Sequence, residues 1–195
     1  MSVRSELKCD IFSIEAHKQH TGIISTFVEA AEYSGMEVIC KREDEVIEED
    51  ASGVDLVVAL GGDHTYLVAA QMIKDNKLPI LGLNTYQGVI GEALPTHSIE
   101  FNRRSQEINS IVKKLQQTEG NIETYKRSRG KLTLNVAQGN QSKNALVLNE
   151  AFCAEKDVGS ASRFRVSPDD TDWGIFKSSG IIISTGKRLR YKLFY

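Results

Sequence analysis

A chain of 195 residues with 41% apolar and 26% charged side chains suits one ordinary domain or two small lobes, and fibres, solenoids and wholesale disorder are excluded. Its 24 Lys and Arg against 26 Asp and Glu leave a net charge of −2. That balance argues against a dedicated nucleic-acid or membrane-surface binder, so any phosphate is held locally. The cysteines, Cys9, Cys40 and Cys153, are odd in number and far apart without a Cys-x-x-Cys pattern, which indicates neither a disulfide framework nor a zinc site and fits a reducing compartment. No apolar run approaches the ~20 residues of a membrane helix, and the opening MSVRSELKCDIFSIE carries no readable address.

After His20, the apolar residues Ile23, Ile24, Phe27, Val28 and Ala31 share one face at helical spacing, and Gly35 follows as a C-terminal cap. MEVIC reads as a short strand, and the acidic run EDEVIEED behind it as a solvated helix or loop. VDLVVAL, residues 54–60, is nearly all apolar and branched, as a strand covered on both faces of a parallel sheet must be. Gly61 and Gly62 end it, TYLVAAQMI turns helical, and LPILGLN, residues 78–84, is a second buried strand. Strand, glycine turn, helix and strand make a βαβ unit, with an expected right-handed crossover.

Ile108, Ile111, Val112 and Leu115 mark another amphipathic helix ending near Gly120. Beyond it the pattern changes to short strands with turn signals: NIETYKRSR, KLTLNVA, NALVLNEAF, ASRFRVS and GIIIST, with turns at Gly139-Asn140 and Pro168-Asp169-Asp170. The fold class expected is an α/β lobe over residues 1–120, built on a parallel sheet, followed by an all-β lobe over 121–195, with the boundary near 118–121. KRLRYKLFY at the end has no clear period.

The chemistry concentrates in Gly61-Gly62-Asp63-His64-Thr65, between a buried strand and a helix. Two glycines let the backbone approach a ligand closely, and a helix N-terminus offers free N–H donors suited to phosphate. Asp63 stands where a carboxylate accepts a proton from a hydroxyl, or where it merely caps the helix. The turn is neither a Walker A loop nor a Gly-x-Gly-x-x-Gly dinucleotide fingerprint.

GGDHT after VDLVVAL resembles the Gly-Gly-Asp-Gly-Thr signature of NAD kinases, whose superfamily includes phosphofructokinases and lipid kinases. LGLN at 81–84, Asn149-Glu150 in NALVLNEAF and FKSSGIIISTG at 176–186 resemble the NAD kinases within it, and ASRFRVSPDDTDW followed by FKSSG is most similar to the mitochondrial-type branch. The resemblance implies transfer of the ATP γ-phosphoryl, with Mg²⁺, to the 2′-hydroxyl of the adenosine ribose of NAD, giving NADP. It makes Asp63 the catalytic base; Gly61, Gly62, His64 and Thr65 part of the phosphate-binding turn; Asn149 and Glu150 the polar pair that takes the dinucleotide; and Asn84 a residue steadying the neighbouring loop. Lys177 matches a position where the family often carries a basic residue near the nicotinamide of a neighbouring subunit, which implies a homo-oligomer such as a dimer. A mitochondrial location is implied by the resemblance alone, with no transit peptide visible; the alternative expectation is cytoplasmic. No protein-held metal is expected: His17 and His20 lack a third ligand and read as solvent-facing. Trp173 and Tyr33 read as packing groups.

Two departures stand out. His64 occupies the signature's second-turn glycine, where a positive φ would strain it by ~1–3 kcal/mol. After Ser184-Thr185-Gly186 the chain runs into Lys187-Arg188-Leu189-Arg190 in place of a Gly/Ser-rich turn, so only Thr185 and Gly186 carry over. The expectation is an incomplete all-β lobe from a truncated product or an incomplete gene model, with the basic tail frayed. An alternative follows: a catalytically impaired chain of the same family that retains nucleotide affinity or pairs with a full-length homologue. A lipid or sugar kinase is the third reading, disfavoured by Asn149-Glu150 and FKSSGIIISTG.

Overall fold

Ile23, Phe27 and Ala31 fall on one side of a helix because four residues make slightly more than one turn. In the structure, a computed structural model that describes residues 8–13, 18–47, 51–74, 77–86, 99, 103–117, 124–135, 142–157 and 159–185, all three are buried on α1 (Lys18–Tyr33). Gly35 adopts φ +79 just past the helix, and Met36 N donates to Ala31 O at 3.1 Å, which satisfies a carbonyl the last turn leaves over. The chain divides into two units, residues 1–126 and 127–195.

The first unit is built on a four-stranded sheet of order β2-β1-β3-β4, with β1 Lys8–Ser13, β2 Glu37–Arg42, β3 Leu56–Gly61 and β4 Ile80–Asn84. Every neighbouring pair is parallel. Leu56, Val58 and Leu60 of β3 join a core with Ile23 and Phe27 of α1 and Ile108, Val112 and Leu115 of α3 (Arg104–Gln117). Val57 and Ala59 are equally buried and lie on the opposite face by strand alternation. α2 (Asp63–Met72) packs on β3 and buries Tyr66, Ala69 and Ala70 outside that core. Cover on both sides explains why the sequence of β3 is apolar without alternation.

Two features of this unit go beyond the sequence reading. β1, whose KCDIFS mixes charged and apolar residues, was not signalled, yet it occupies a central place in the sheet. The acidic run begins as a 3-10 turn, Glu43–Glu45, tied back to β2: Arg42 Nε and Nη2 donate to Asp44 at 3.1 and 3.3 Å, and Arg42 N donates to Glu45 Oε2 at 3.3 Å.

Among its described residues the second unit holds three antiparallel two-stranded ribbons: β5 (Gly130–Asn135) with β6 (Ser142–Val147), β7 (Glu150–Ala154) with β10 (Gly180–Ser184), and β8 (Ser162–Val166) with β9 (Gly174–Ser178). NALVLNEAF, read as one strand, is broken at Leu148 and Asn149. The described part of NIETYKRSR, 124–129, has no strand pairing. Trp173 and Tyr33 are 64% and 95% exposed, so neither is the packing group expected of it. Phe152, Ile175, Phe176, Ile182 and Ile183 of the ribbons are exposed as well.

Candidate functional site

β3 carries the chain through the core and releases it at Gly61, whose carbonyl accepts from Thr85 N at 3.2 Å, just past Asn84, its register partner on β4. Gly62 is the N-cap of α2 with φ −98 and ψ −165, and Asp63 is the first residue of the helix. Asp63 therefore does not serve as the cap. Its half-buried carboxyl sits in the first turn, where the positive end of the helix favours an anion.

Neither glycine of the turn has a positive φ; both are there for closeness. A Cβ on Gly61 would collide with Thr65 Oγ1 and lie 2.7 Å from Thr65 Cβ, and one on Gly62 would lie 2.9 Å from Tyr86 Cε2. The room the glycines leave is filled by the protein's own Thr65 and Tyr86, which revises the expectation that it is there for a ligand. Thr65 is fully buried, and its Oγ1 has no hydrogen-bond partner.

His64 does not carry the strain considered for it, since Asp169 and Asp170 are the described non-glycine residues with positive φ. It sits within the helical first turn, and its Nε2 lies 2.7 Å from Glu43 Oε1 of the 3-10 turn. Asn84 is 1% exposed; its Oδ1 accepts from Tyr86 N at 3.0 Å and its carbonyl from Ile99 N at 2.9 Å. The structure thus brings Gly61, Gly62, Asp63, His64, Thr65 and Asn84 to one end of the sheet, the C-terminal end of β3 and β4. In open parallel sheets that is the end at which ligands bind.

The second unit gathers a smaller group. Thr185 N donates to Asn149 O at 2.8 Å, and Thr185 Oγ1 lies 2.5 Å from Leu148 O and 3.2 Å from Asn149 O. These bonds account for the break between β6 and β7, because the two carbonyls are committed to Thr185. Arg127 Nη2 donates to Asn149 Oδ1 at 3.2 Å, and exposed Glu150 faces Ser184 across the ribbon. Lys177 is exposed on β9 opposite Arg163, in a different ribbon from Asn149 and Thr185. Gly186, His17, Lys187, Arg188 and Arg190 lie outside the described residues.

Glu43, Tyr86 and Arg127 were missed in the sequence. Glu43 was hidden in an acidic run, Tyr86 in the loop after LGLN, and Arg127 in a segment read as strand. Among the described residues no group of three or more His, Cys, Asp or Glu is placed to hold a metal ion.

The family described as ATP-NAD kinase N-terminal domain matches residues 5–122, more than half of the chain and all of its parallel sheet.

The chain belongs to the NAD kinase family.

Human "NAD kinase 2, mitochondrial" is 27% identical over 202 residues, a match covering 89% of this chain and 46% of that protein. A Clostridium botulinum "NAD kinase" is 33% identical over 135 residues, covering 69% of this chain and 43% of its own length. Yeast NADH kinase, solved in complex with NADH, superposes with a TM-score of 0.70 at 16% identity over 93% of this chain and 58% of its own, which shows the NAD kinase-like fold. The chain spans a little under half the length of these two relatives.

Proposed function

We propose that this chain carries the acceptor-activating part of an ATP-dependent NAD kinase. The observation behind the reading is the place of Asp63: a half-buried carboxylate on the first turn of α2, at the C-terminal end of a fully buried strand, inside the segment that matches the family. In the reaction Asp63 accepts the proton of the ribose 2′-hydroxyl as the 2′-oxygen bonds to the γ-phosphorus of ATP. The bond from that phosphorus to the β,γ-bridging oxygen breaks, and ADP and NADP result. General-base assistance of this kind contributes ~10²- to 10⁴-fold, with the remainder from alignment and charge compensation.

The positive end of α2 suits the phosphates, while Asn84 fixes the loop at Tyr86. Mg²⁺ enters as part of the substrate, bound to the ATP phosphates, and so needs no more than one or two protein carboxylates. Asn149, held through its carbonyl by Thr185 and through Oδ1 by Arg127, and Glu150 beside it supply polar groups for the nucleoside.

The exposed Phe152 and Ile182, register partners on β7 and β10, support an oligomeric working form, for which a dimer is proposed, because exposed apolar pairs of this kind mark contact surfaces. Mitochondrial residence is proposed on the likeness to relatives that carry that word in their names. A family member that binds nucleotide without turnover is the competing reading.

The deciding experiment incubates the purified chain with NAD, ATP and Mg²⁺ and measures NADP with an NADP-specific dehydrogenase. Formation that disappears in Asp63→Asn supports the assignment. Binding of NAD by calorimetry with no NADP formed supports the competing one.

A further inference from the structure

We propose that His64, oriented by Glu43, is a side-chain ligand for the phosphates of the nucleoside triphosphate donor, at a place where the signature of the family has glycine and only backbone to offer. The proposal rests on the NAD kinase reading above and adds to it a residue of this chain's own.

The pairing is built into the fold. Glu43 is 20% exposed, its Oε1 lies 2.7 Å from His64 Nε2, and its Oε2 is buried without a partner. A carboxylate so far removed from water requires a donor. The two acids that follow it are served by Arg42, which bonds Asp44 through its guanidinium and Glu45 through its backbone N–H. Among the described residues, His64 does for Glu43 what Arg42 does for its neighbours.

A carboxylate that accepts Nε2–H fixes the plane of the ring and leaves the second nitrogen to interact elsewhere. The imidazole is 77% exposed, so that nitrogen is accessible. It stands one residue after Asp63, on the first turn of α2. The first turn of α2 therefore places an exposed, oriented ring at the positive end of the helix, a setting suited to a phosphate oxygen, while the Thr65 hydroxyl stays packed against Gly61. Charge points the same way. A polyphosphate arriving at the turn meets the carboxylates of Asp63 and Glu43; with Nε2–H given to Glu43, the imidazolium is the form of His64 that has a second N–H to donate to a phosphate oxygen.

The test measures KM for ATP, KM for NAD and kcat in the wild type and in His64→Ala, His64→Gln, Glu43→Gln and the double variant Glu43→Gln/His64→Ala, together with calorimetric titration by MgADP. His64→Ala is expected to weaken ADP and raise KM for ATP about 10-fold, as loss of one charge-assisted hydrogen bond does, with KM for NAD within about 2-fold. His64→Gln, which keeps a side-chain donor, recovers part of the loss. Glu43→Gln gives a smaller loss, and the double variant is no worse than His64→Ala, because Glu43 acts through His64. The double variant also removes the unpartnered buried charge that His64→Ala leaves, which separates donor binding from folding. Unchanged ADP affinity in the folded double variant, or a wild type that binds no MgADP, overturns the proposal. A wild type that makes no NADP yet loses ADP affinity on His64→Ala overturns the reaction assigned above and leaves the phosphate ligand standing.

Discussion

Thr65 lies directly over Gly61: a β-carbon on the glycine would sit 2.7 Å from that of the threonine, at the point where the buried strand turns into α2. The contact locks the first turn of the helix to the end of the strand and so sets where Asp63 stands. Gly61→Ala forces Thr65 or the turn to move, an overpacking change that costs ~1–3 kcal/mol. A lower denaturation midpoint, accompanied by loss of NADP formation well beyond what the stability change explains, is the expected outcome. An unchanged midpoint would show that the turn adjusts freely.

The hydroxyl of that same threonine is buried without a partner. Valine matches threonine in shape and removes the orphan oxygen, so Thr65→Val is expected to stabilise the free protein by about 1 kcal/mol or leave it unchanged. If the hydroxyl serves the nucleotide, affinity falls at the same time. Chemical denaturation of the variant, repeated with and without ATP, reads both effects.

Asp63→Asn keeps size and polarity but cannot accept a proton, as the role proposed for Asp63 requires. Expected is a drop in kcat of at least ~10²-fold, with an unaltered circular dichroism spectrum and NAD affinity within a few-fold. Activity close to the wild type would remove Asp63 from the role assigned to it.

Much of the first unit was legible because helix period and strand burial act on neighbouring residues: Ile23, Phe27 and Ala31 declare one face, and VDLVVAL declares a strand with two covered sides. β1 was not legible, since the pairing that defines it comes from Val38 and Leu56 on strands distant in sequence and not from any period of its own. The reach of Glu43 to His64 spans twenty-one positions and joins a turn to a helix, so no local pattern announces it. The same reasoning explains Asn149: a residue inside what reads as one apolar strand becomes a break only because Thr185, far along the chain, claims its carbonyl.

That claim gives a further expectation. Thr185→Val removes the hydroxyl that serves the carbonyls of Leu148 and Asn149, while the bond from Thr185 N remains. A loss of ~0.5–1.5 kcal/mol in stability follows from one net hydrogen bond. A rise in KM for NAD with KM for ATP unmoved is expected from the displaced Asn149 side chain, and steady-state kinetics with each substrate varied in turn distinguishes the two.

The β8–β9 ribbon carries its own titration marker. The Arg165 guanidinium, with Nη2 2.6 Å from Asp172 Oδ2, and after it the Gly174 N–H hold the Asp172 carboxyl below its ordinary 3.8. A carboxyl lowered on folding adds stability that is fully present above the unfolded value and is lost as pH falls through the lower folded value. Because the pair is exposed, the contribution is modest and screened by salt. Carboxyl-carbon NMR during an acid titration is expected to show Asp172 protonating below 3.8 in the wild type and moving up toward the ordinary aspartate value in Arg165→Gln. A midpoint that does not move would show that the guanidinium is not what lowers it.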